Sequence, residues 1–372
     1  MKKNHNFLTR NQFLRVLKNL FFGFIALINF PFASTKLKKE KVEMFKITDL
    51  PQNGPWPTSD PFLFCVHHKD NYPIANDNLG PKDNLFGRNI GNDFSDMDGW
   101  SMYHGTAVPG FPRHPHRGFE TITIVEKGLI DHSDSMGFSA RYGDGDVQWL
   151  TAGDGIQHSE MFPLLNGNDR NPIDFFQIWI NLSSKNKRVT PNFKMFWKND
   201  IPKITKTDKN NLKSYTELIA GSYSNQKAPS PPQNSWAKNE QNNVNIWKIK
   251  LDEGADYILP EVEKNASRTL YFYKGGKILA NGVKIQSKSM IEINNSNQVI
   301  ISSTKGQAHI LLLQGNPIEE PVVQYGPFVM NTKSEIQEAF DDYNKTNFGD
   351  WGWAEDGPVH GSNYEKFSKQ NK

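Results

Sequence analysis

Two short pairs of metal-capable side chains constrain this chain more than any other feature: His114-Pro115-His116 and His158-Ser159-Glu160. Within each pair the side chains stand at i and i+2, positions that point to the same face of a β-strand. Two such strands laid side by side aim three imidazoles and one carboxylate at a single point. The spacing therefore asks for a β framework. The donor set, His114, His116, His158 and Glu160, suits a divalent first-row metal such as Fe, Mn, Ni, Cu or Zn. Pro115 stiffens the first pair, and Gly118 just after it permits a bulge. Gly153-Asp154-Gly155 permits a tight turn before the second pair, and Asp144-Gly145-Asp146 is a hairpin signal upstream of it. If the first strand stays in register through Gly118, then His114, His116, Glu120, Ile122 and Ile124 share one face, the interior of a barrel. Ile122, Ile124, Phe111, Phe119 and Trp149 are then candidate walls of a cavity.

The surrounding sequence has the matching pattern. From Phe62 onward, short alternating or apolar runs are separated by Gly, Asp and Asn, as in all-β sandwiches and barrels; Glu120 to Val125, Asp146 to Leu150 and Asp174 to Leu182 are examples. A second β set follows over Val244–Leu251, Arg268–Tyr273, Gly276–Asn281, Ser289–Ile293, Gln298–Ser302 and His309–Gln314. Its spacing is similar to that of the first, which predicts a duplicated β-barrel. The second half has no H-x-H or H-x-E pair and so no equivalent site. The expected organisation is a signal-like segment over 1–34, a linker over 35–59, a metal-binding barrel domain over 60–200, a connecting region rich in Lys, Pro and Asn over 201–245, a second barrel over 246–350, and an irregular tail over 351–372. Ser334 to Tyr343 reads as one short amphipathic helix with Ser334 as its N-cap.

Charge and cysteine content narrow the chemistry. Residues 1–41 hold nine of the 43 Lys/Arg and one of the 40 Asp/Glu, so the remaining body is mildly acidic despite a formal charge of +3. Without a basic stripe, a nucleic-acid partner is not expected. The single cysteine, Cys65, excludes an internal disulfide and a cysteine-rich metal site, so the ligands are N and O atoms. Cys65 itself reads as a small core residue. At the N-terminus, Lys2, Lys3, Arg10, Arg15 and Lys18 precede an apolar run from Leu20 to Phe32. That run is short for a bilayer span and has the length of a signal-peptide core. Thr9-Arg10-Asn11-Gln12-Phe13-Leu14-Arg15 looks like a twin-arginine export signal with Asn11 in place of the second Arg. The expected location is the periplasm or cell envelope, with a cytoplasmic protein as the alternative. No stable membrane span is expected unless this segment stays uncleaved.

Other polar residues are given quieter roles. His67, His68, His104, His132, His309 and His360 stand alone and are read as structural or solvent-facing. Arg117 is expected to pair with a nearby acid. Asp134 and Glu126 are read as solvated turn residues, and Pro229-Ser230-Pro231-Pro232 as a stiff linker.

Three blocks carry a family resemblance. Gly110-Phe111-Pro112-Arg113-His114-Pro115-His116-Arg117-Gly118-Phe119-Glu120-Thr121 resembles the signature of the pirin family, within the cupin superfamily. Trp149-Leu150-Thr151-Ala152-Gly153-Asp154-Gly155-Ile156-Gln157-His158-Ser159-Glu160-Met161 is similar to its second motif. Pro317-Ile318, Glu320-Pro321 and Tyr325-Gly326-Pro327-Phe328-Val329-Met330-Asn331 match a third. The resemblance implies an all-β bicupin: two stacked antiparallel β-barrels of the double-stranded β-helix type with a short C-terminal helix. It implies one metal, usually Fe(II), in the first barrel, held by His114, His116, His158 and Glu160. Glu120 matches a general cupin glutamate and is expected just behind the ligands. Several bacterial pirins resemble quercetin 2,3-dioxygenases, which implies a small phenolic or flavonoid substrate and O2. Other members act through protein partners as regulators, and a metal- or redox-sensing module without turnover is the alternative.

The implied reaction is metal-assisted. A flavonol would bind through its 3-hydroxyl at an open metal position, its hydroxyl pKa lowered by the cation. Glu160 would take the proton as general base. Reaction with O2 would then open the central ring and release carbon monoxide.

Overall fold

The computed structural model describes residues 44–294 and 296–370. The signal-like segment and the first part of the 35–59 stretch lie outside the described residues. Among the described residues strands dominate, and the longest helix is Lys333–Thr346. Among the described residues no helix is long and apolar enough to cross a membrane.

Two antiparallel sheets form the first barrel. One runs in the order Asn192–Phe196, Val147–Thr151, Phe119–Lys127, Asn171–Asn181, Phe62–Tyr72. The other runs Phe367–Gln370, Phe138–Gly143, Leu129–Asp134, Ile156–Met161, Gly110–His116. The second barrel pairs a seven-stranded sheet with a four-stranded one. The fold is thus an all-β double cupin.

Period-two alternation explains how the two barrels join. In the Phe119–Lys127 strand, Ile122 and Ile124 pack with Phe176, Ile178 and Ile180 of the neighbouring strand, and with Ile246, Tyr271, Leu311 and Leu313 of the second barrel. Val125 and Phe175 instead belong to the interior cluster of the first barrel. The joining sheets are therefore covered on both faces, which is why strands such as Asp-Phe-Phe-Gln-Ile-Trp-Ile-Asn read as near-continuous apolar runs. Lys248 adds a polar tie across the same interface, pairing with Glu126 at 2.6 Å and Glu217 at 2.5 Å. Glu126 is thus an inter-barrel partner rather than a solvated turn residue. Cys65 is fully buried in the inter-barrel core, as a small core residue should be.

The stretches read as connecting carry strands. Phe45–Asp49 pairs with Ser289–Ile293 at the edge of the seven-stranded sheet. Lys203–Thr207 and Lys213–Ala220 pair with each other, and the latter also with Asn245–Leu251. Their alternation is diluted by Lys and Thr because the outer strand lies at a sheet edge. The tail is not wholly irregular either. It crosses the outer face of the first barrel, where Trp353 Nε1 donates to the Asp134 carbonyl at 2.9 Å and the His360 amide donates to Asp131 at 2.7 Å. It ends by adding Phe367–Gln370 to the Phe138–Gly143 strand. Arg141 lies beneath it, bonded bidentately to Asp131 and also to the carbonyls of Gly361 and Asn363.

The helix starts one residue before the expected cap. Thr332, not Ser334, is the N-cap: its hydroxyl accepts from the Glu335 amide, and the Glu335 carboxylate reaches back to the Thr332 hydroxyl and the Asn331 amide. This is a variant of the capping box, in which the glutamate accepts from the cap hydroxyl and from the amide one residue before the cap.

Candidate metal centre

Adjacent antiparallel strands bring the two sequence pairs together. In the register of Gly110–His116 with Ile156–Met161, His114 stands opposite His158. His114, His116 and His158 each offer a ring nitrogen, and these atoms lie within 4.8 Å of one another. The ring centroids are 4.4 Å apart for His114–His158, 4.8 Å for His114–His116 and 4.9 Å for His116–His158.

The hydrogen bonding fits a cation in this cluster. Nδ1 of His114 meets the Pro112 carbonyl at 2.8 Å; a carbonyl only accepts, so Nδ1 carries the proton and Nε2 keeps its lone pair. His158 is fully buried, yet neither of its ring nitrogens has a hydrogen-bond partner. Unpaired buried imidazole nitrogens are costly, and a bound cation satisfies them. Burial pushes the pKa of His114 down to about 4, and burial with mutual repulsion holds His116 and His158 well below the usual histidine range. All three are neutral at pH 7, the form that binds metal.

Glu160 shares the barrel-interior face with His158 but is not part of the tight cluster. Its Oε1 accepts from Thr123 Oγ1 at 3.0 Å and its Oε2 from Gln177 Nε2 at 2.7 Å. Burial raises its pKa, an effect opposed by His132, Gln177, Thr123 and Tyr142.

Glu120 is not where a continuous strand would put it. The chain turns at Arg117-Gly118, with Gly118 at φ +87°, and the next strand begins at Phe119. The turn reverses the parity. Phe119 now neighbours His116, with ring centroids 5.0 Å apart, and Thr123 reaches Glu160. Glu120, Ile122 and Ile124 face the second barrel, where Glu120 accepts from Thr151 Oγ1 at 2.6 Å. Trp149 is on that face too. Of the expected walls, Phe111 and Phe119 remain beside the histidines.

Several neighbours of the cluster are not singled out by the sequence pattern. Trp179 lies 5.5 Å from His116 and 4.3 Å from Phe119 between ring centroids, and Gln177 on the same strand face holds Glu160. A signal does exist: Phe175, Gln177 and Trp179 alternate with Phe176, Ile178 and Ile180, and a glutamine inside an apolar strand marks a polar interior. His132, read as standing alone, is fully buried 5.5 Å from His158 and pairs with Asp134 at 3.0 Å. Asp134 is itself fully buried and accepts from the Met136 and Phe138 amides, so it is no solvated turn residue.

The third sequence block backs the metal strand from behind. The Arg117 amide donates to the Pro327 carbonyl and the Val329 amide to the Arg117 carbonyl. Buried Lys187 donates to the carbonyls of Gly118 and Val329 and to Asn181. Arg117 pairs with Asp342 at 2.8 Å and Asp154 at 3.2 Å, in line with the expected acidic partner. The turn that ends the His114-Pro115-His116 strand is thus held in part by residues from the far end of the second barrel.

Fold and site together define a double cupin with a three-histidine cluster, capable of holding a metal, in the first barrel. The family described as pirin matches residues 50–180, and the one described as the pirin C-terminal cupin domain matches residues 246–349. The chain belongs to the pirin family. It is 33% identical over 238 residues to a Pseudomonas aeruginosa protein named "Putative quercetin 2,3-dioxygenase PA3240", a match covering 63% of this chain and 79% of that one. It is 31% identical over 252 residues to the pirin of Homo sapiens, covering 66% and 80% of the two chains. Among solved structures, a quercetin 2,3-dioxygenase from Acinetobacter baumannii is 26% identical, with a TM-score of 0.62 over 82% of this chain and 95% of that one.

Proposed function

We propose that this pirin is a metal-dependent dioxygenase that opens a flavonol such as quercetin with O2, and that its resident cation is Fe(II). The observation that carries the reading is the convergence of His114, His116 and His158 with their nitrogens neutral and, on His158, without any partner. The resemblance to proteins named for quercetin 2,3-dioxygenase supports the substrate class. The three imidazoles would hold the metal, and Glu160, outside their tight cluster in this structure, would move between serving as a fourth protein ligand and acting as a base. A cation there would lower the pKa of a bound hydroxyl and supply the redox chemistry that O2 requires.

The chain's own residues do the rest. Phe111, Phe119 and Trp179 give the cluster apolar aromatic walls that favour a flat aromatic substrate and exclude water. Thr123 and Gln177 hold the Glu160 carboxylate in place. Its raised pKa suits it to take the proton of the substrate's 3-hydroxyl at a carboxylate oxygen. The balanced reaction consumes one O2 per flavonol, opens the central ring to an ester and releases one carbon monoxide.

The test is oxygen uptake with quercetin after anaerobic Fe(II) loading, with His116→Ala as control. Uptake that depends on quercetin and vanishes in the control supports the reading. No uptake from protein with metal confirmed bound removes quercetin as substrate. We further propose a periplasmic or envelope location on the strength of the basic residues before the Leu20 to Phe32 run. Cell fractionation tests it, and recovery of the whole chain in the cytosol would overturn it.

A further inference from the structure

Between the Phe62–Tyr72 and Gly110–His116 strands the chain makes a long excursion, residues 73–109. Long segments of this kind in a compact domain are usually functional. This one is pinned from within. Buried Arg88 bonds Asp93 at 2.9 Å and the carbonyls of Trp100 and Met97 at 2.8 and 2.7 Å, and its guanidinium stacks on the Trp100 ring at 3.4 Å. Asp70 accepts from the Ser101 amide and the Tyr103 hydroxyl, each at 2.8 Å. Such anchors hold a surface in a fixed shape.

What the excursion presents is a line of rings leading inward. Phe94 is half exposed, and its centroid lies 5.2 Å from that of His104. His104 lies 5.8 Å from Phe111, and Phe111 lies 6.4 Å from His114 in the metal cluster. His104 is close enough to His114 for charges on the two to repel. Its Nδ1 meets the Gly91 carbonyl at 2.9 Å, so Nδ1 carries the proton and Nε2 keeps a lone pair. No group among the described residues hydrogen-bonds that Nε2. A fixed acceptor in T-shaped contact with two aromatic rings is an arrangement that selects a flat ring bearing a hydroxyl, because apolar contact gives affinity and the hydrogen bond gives discrimination.

We propose that His104 is a substrate-contacting, specificity-determining residue: its Nε2 accepts a hydrogen bond from a ring hydroxyl of a planar phenol that packs against the half-exposed Phe94 as it approaches His114, His116 and His158. The inference rests on the phenolic-substrate reading above and is tested separately from it. Anaerobic fluorescence titration of the full, metal-loaded chain measures Kd for quercetin and for a flavonol lacking the B-ring hydroxyls. Metal content and the unfolding midpoint are measured beside it. His104→Phe should keep the wild-type metal content, weaken quercetin by about 5-fold and leave the other flavonol nearly unchanged, so that the preference between them collapses. His104→Gln, which restores an acceptor, should recover part of the preference. Phe94→Ala should weaken both flavonols alike. Wild-type Kd and preference in both His104 variants would overturn the assignment, and so would loss of metal from His104→Phe, which would make the residue a support of the ligands. If the wild type binds neither flavonol, the phenolic-substrate reading falls first and this inference with it.

Discussion

The two barrels share an architecture and differ in what fills them. The second encloses an aliphatic and aromatic cluster that includes Leu218, Ile249, Leu270, Phe272, Ile310 and Leu312. The first has an apolar cluster at part of its interior and a polar remainder with His114, His116, His158, Glu160, Thr123, Gln177 and His132. Among the described residues, buried polar atoms without a hydrogen-bond partner fall mostly in the first half, including those of His158, His132, Gln148, Thr121 and Trp179. A cupin barrel therefore needs no polar centre to be stable. The first barrel carries one against the ordinary preference of a core, which points to selection for chemistry rather than for folding.

The largest test of this contrast is His158→Ala. We expect metal content, measured by elemental analysis of the purified chain, to fall from one ion per chain to near zero, with oxygen uptake reduced more than about 100-fold. Retention of one ion would place the metal elsewhere. Next comes Leu312→Ala in the second barrel, which should cost about 2–5 kcal/mol in denaturant unfolding while leaving metal stoichiometry intact. A matching loss of metal would show that the barrels are not separable in function.

Glu120 gives a smaller effect with a definite sign. Burial raises its pKa from the ordinary 4.5 to about 7, so the unfolded chain gives up this proton more readily than the folded one. Its contribution to stability is full below about pH 4.5 and is lost as pH rises through about 7. Glu120→Gln should therefore stabilise the protein at pH 8 by roughly 1–3 kcal/mol and flatten the pH dependence of its unfolding midpoint between those limits. An unchanged pH profile would remove Glu120 as a source of it. The smallest expected change is Gln148→Met. Both amide atoms of Gln148 are buried without partners, so the substitution should raise stability by about 1 kcal/mol in thermal unfolding. A loss of stability would mean that the polar interior is satisfied in solution.

The three histidines were legible because i, i+2 spacing survives in any strand, whatever its neighbours. The duplicated β pattern was legible for the same reason. Parity beyond Gly118 was not, since a two-residue turn changes which face a side chain takes and a glycine alone does not say whether the strand bends or stops. The helix was visible because Ile336 and Ala339, both buried, fall at helical spacing, while its true cap required reading Thr332 together with Glu335. Trp179 and Gln177 lie far along the chain from the motifs they serve, and His104 belongs to an excursion whose shape depends on the buried contacts of Arg88 and Asp70. Alternation marks Gln177 and Trp179 as interior residues, but which partners they meet across the barrel leaves no local trace.

The tail strand has a consequence for how the protein is made. The first barrel begins with Phe62 and is completed at one sheet edge only by Phe367–Gln370. The three histidines of the cluster, His114, His116 and His158, are all synthesised long before that edge exists, and so is the turn that Pro327 and Val329 later hold. A ribosome that stalls anywhere in the second barrel leaves all three histidines translated and the cup around them unfinished. Completion of the first barrel thus waits until the whole of the second has been made, so the histidine cluster is finished later than the order of its residues along the chain would suggest.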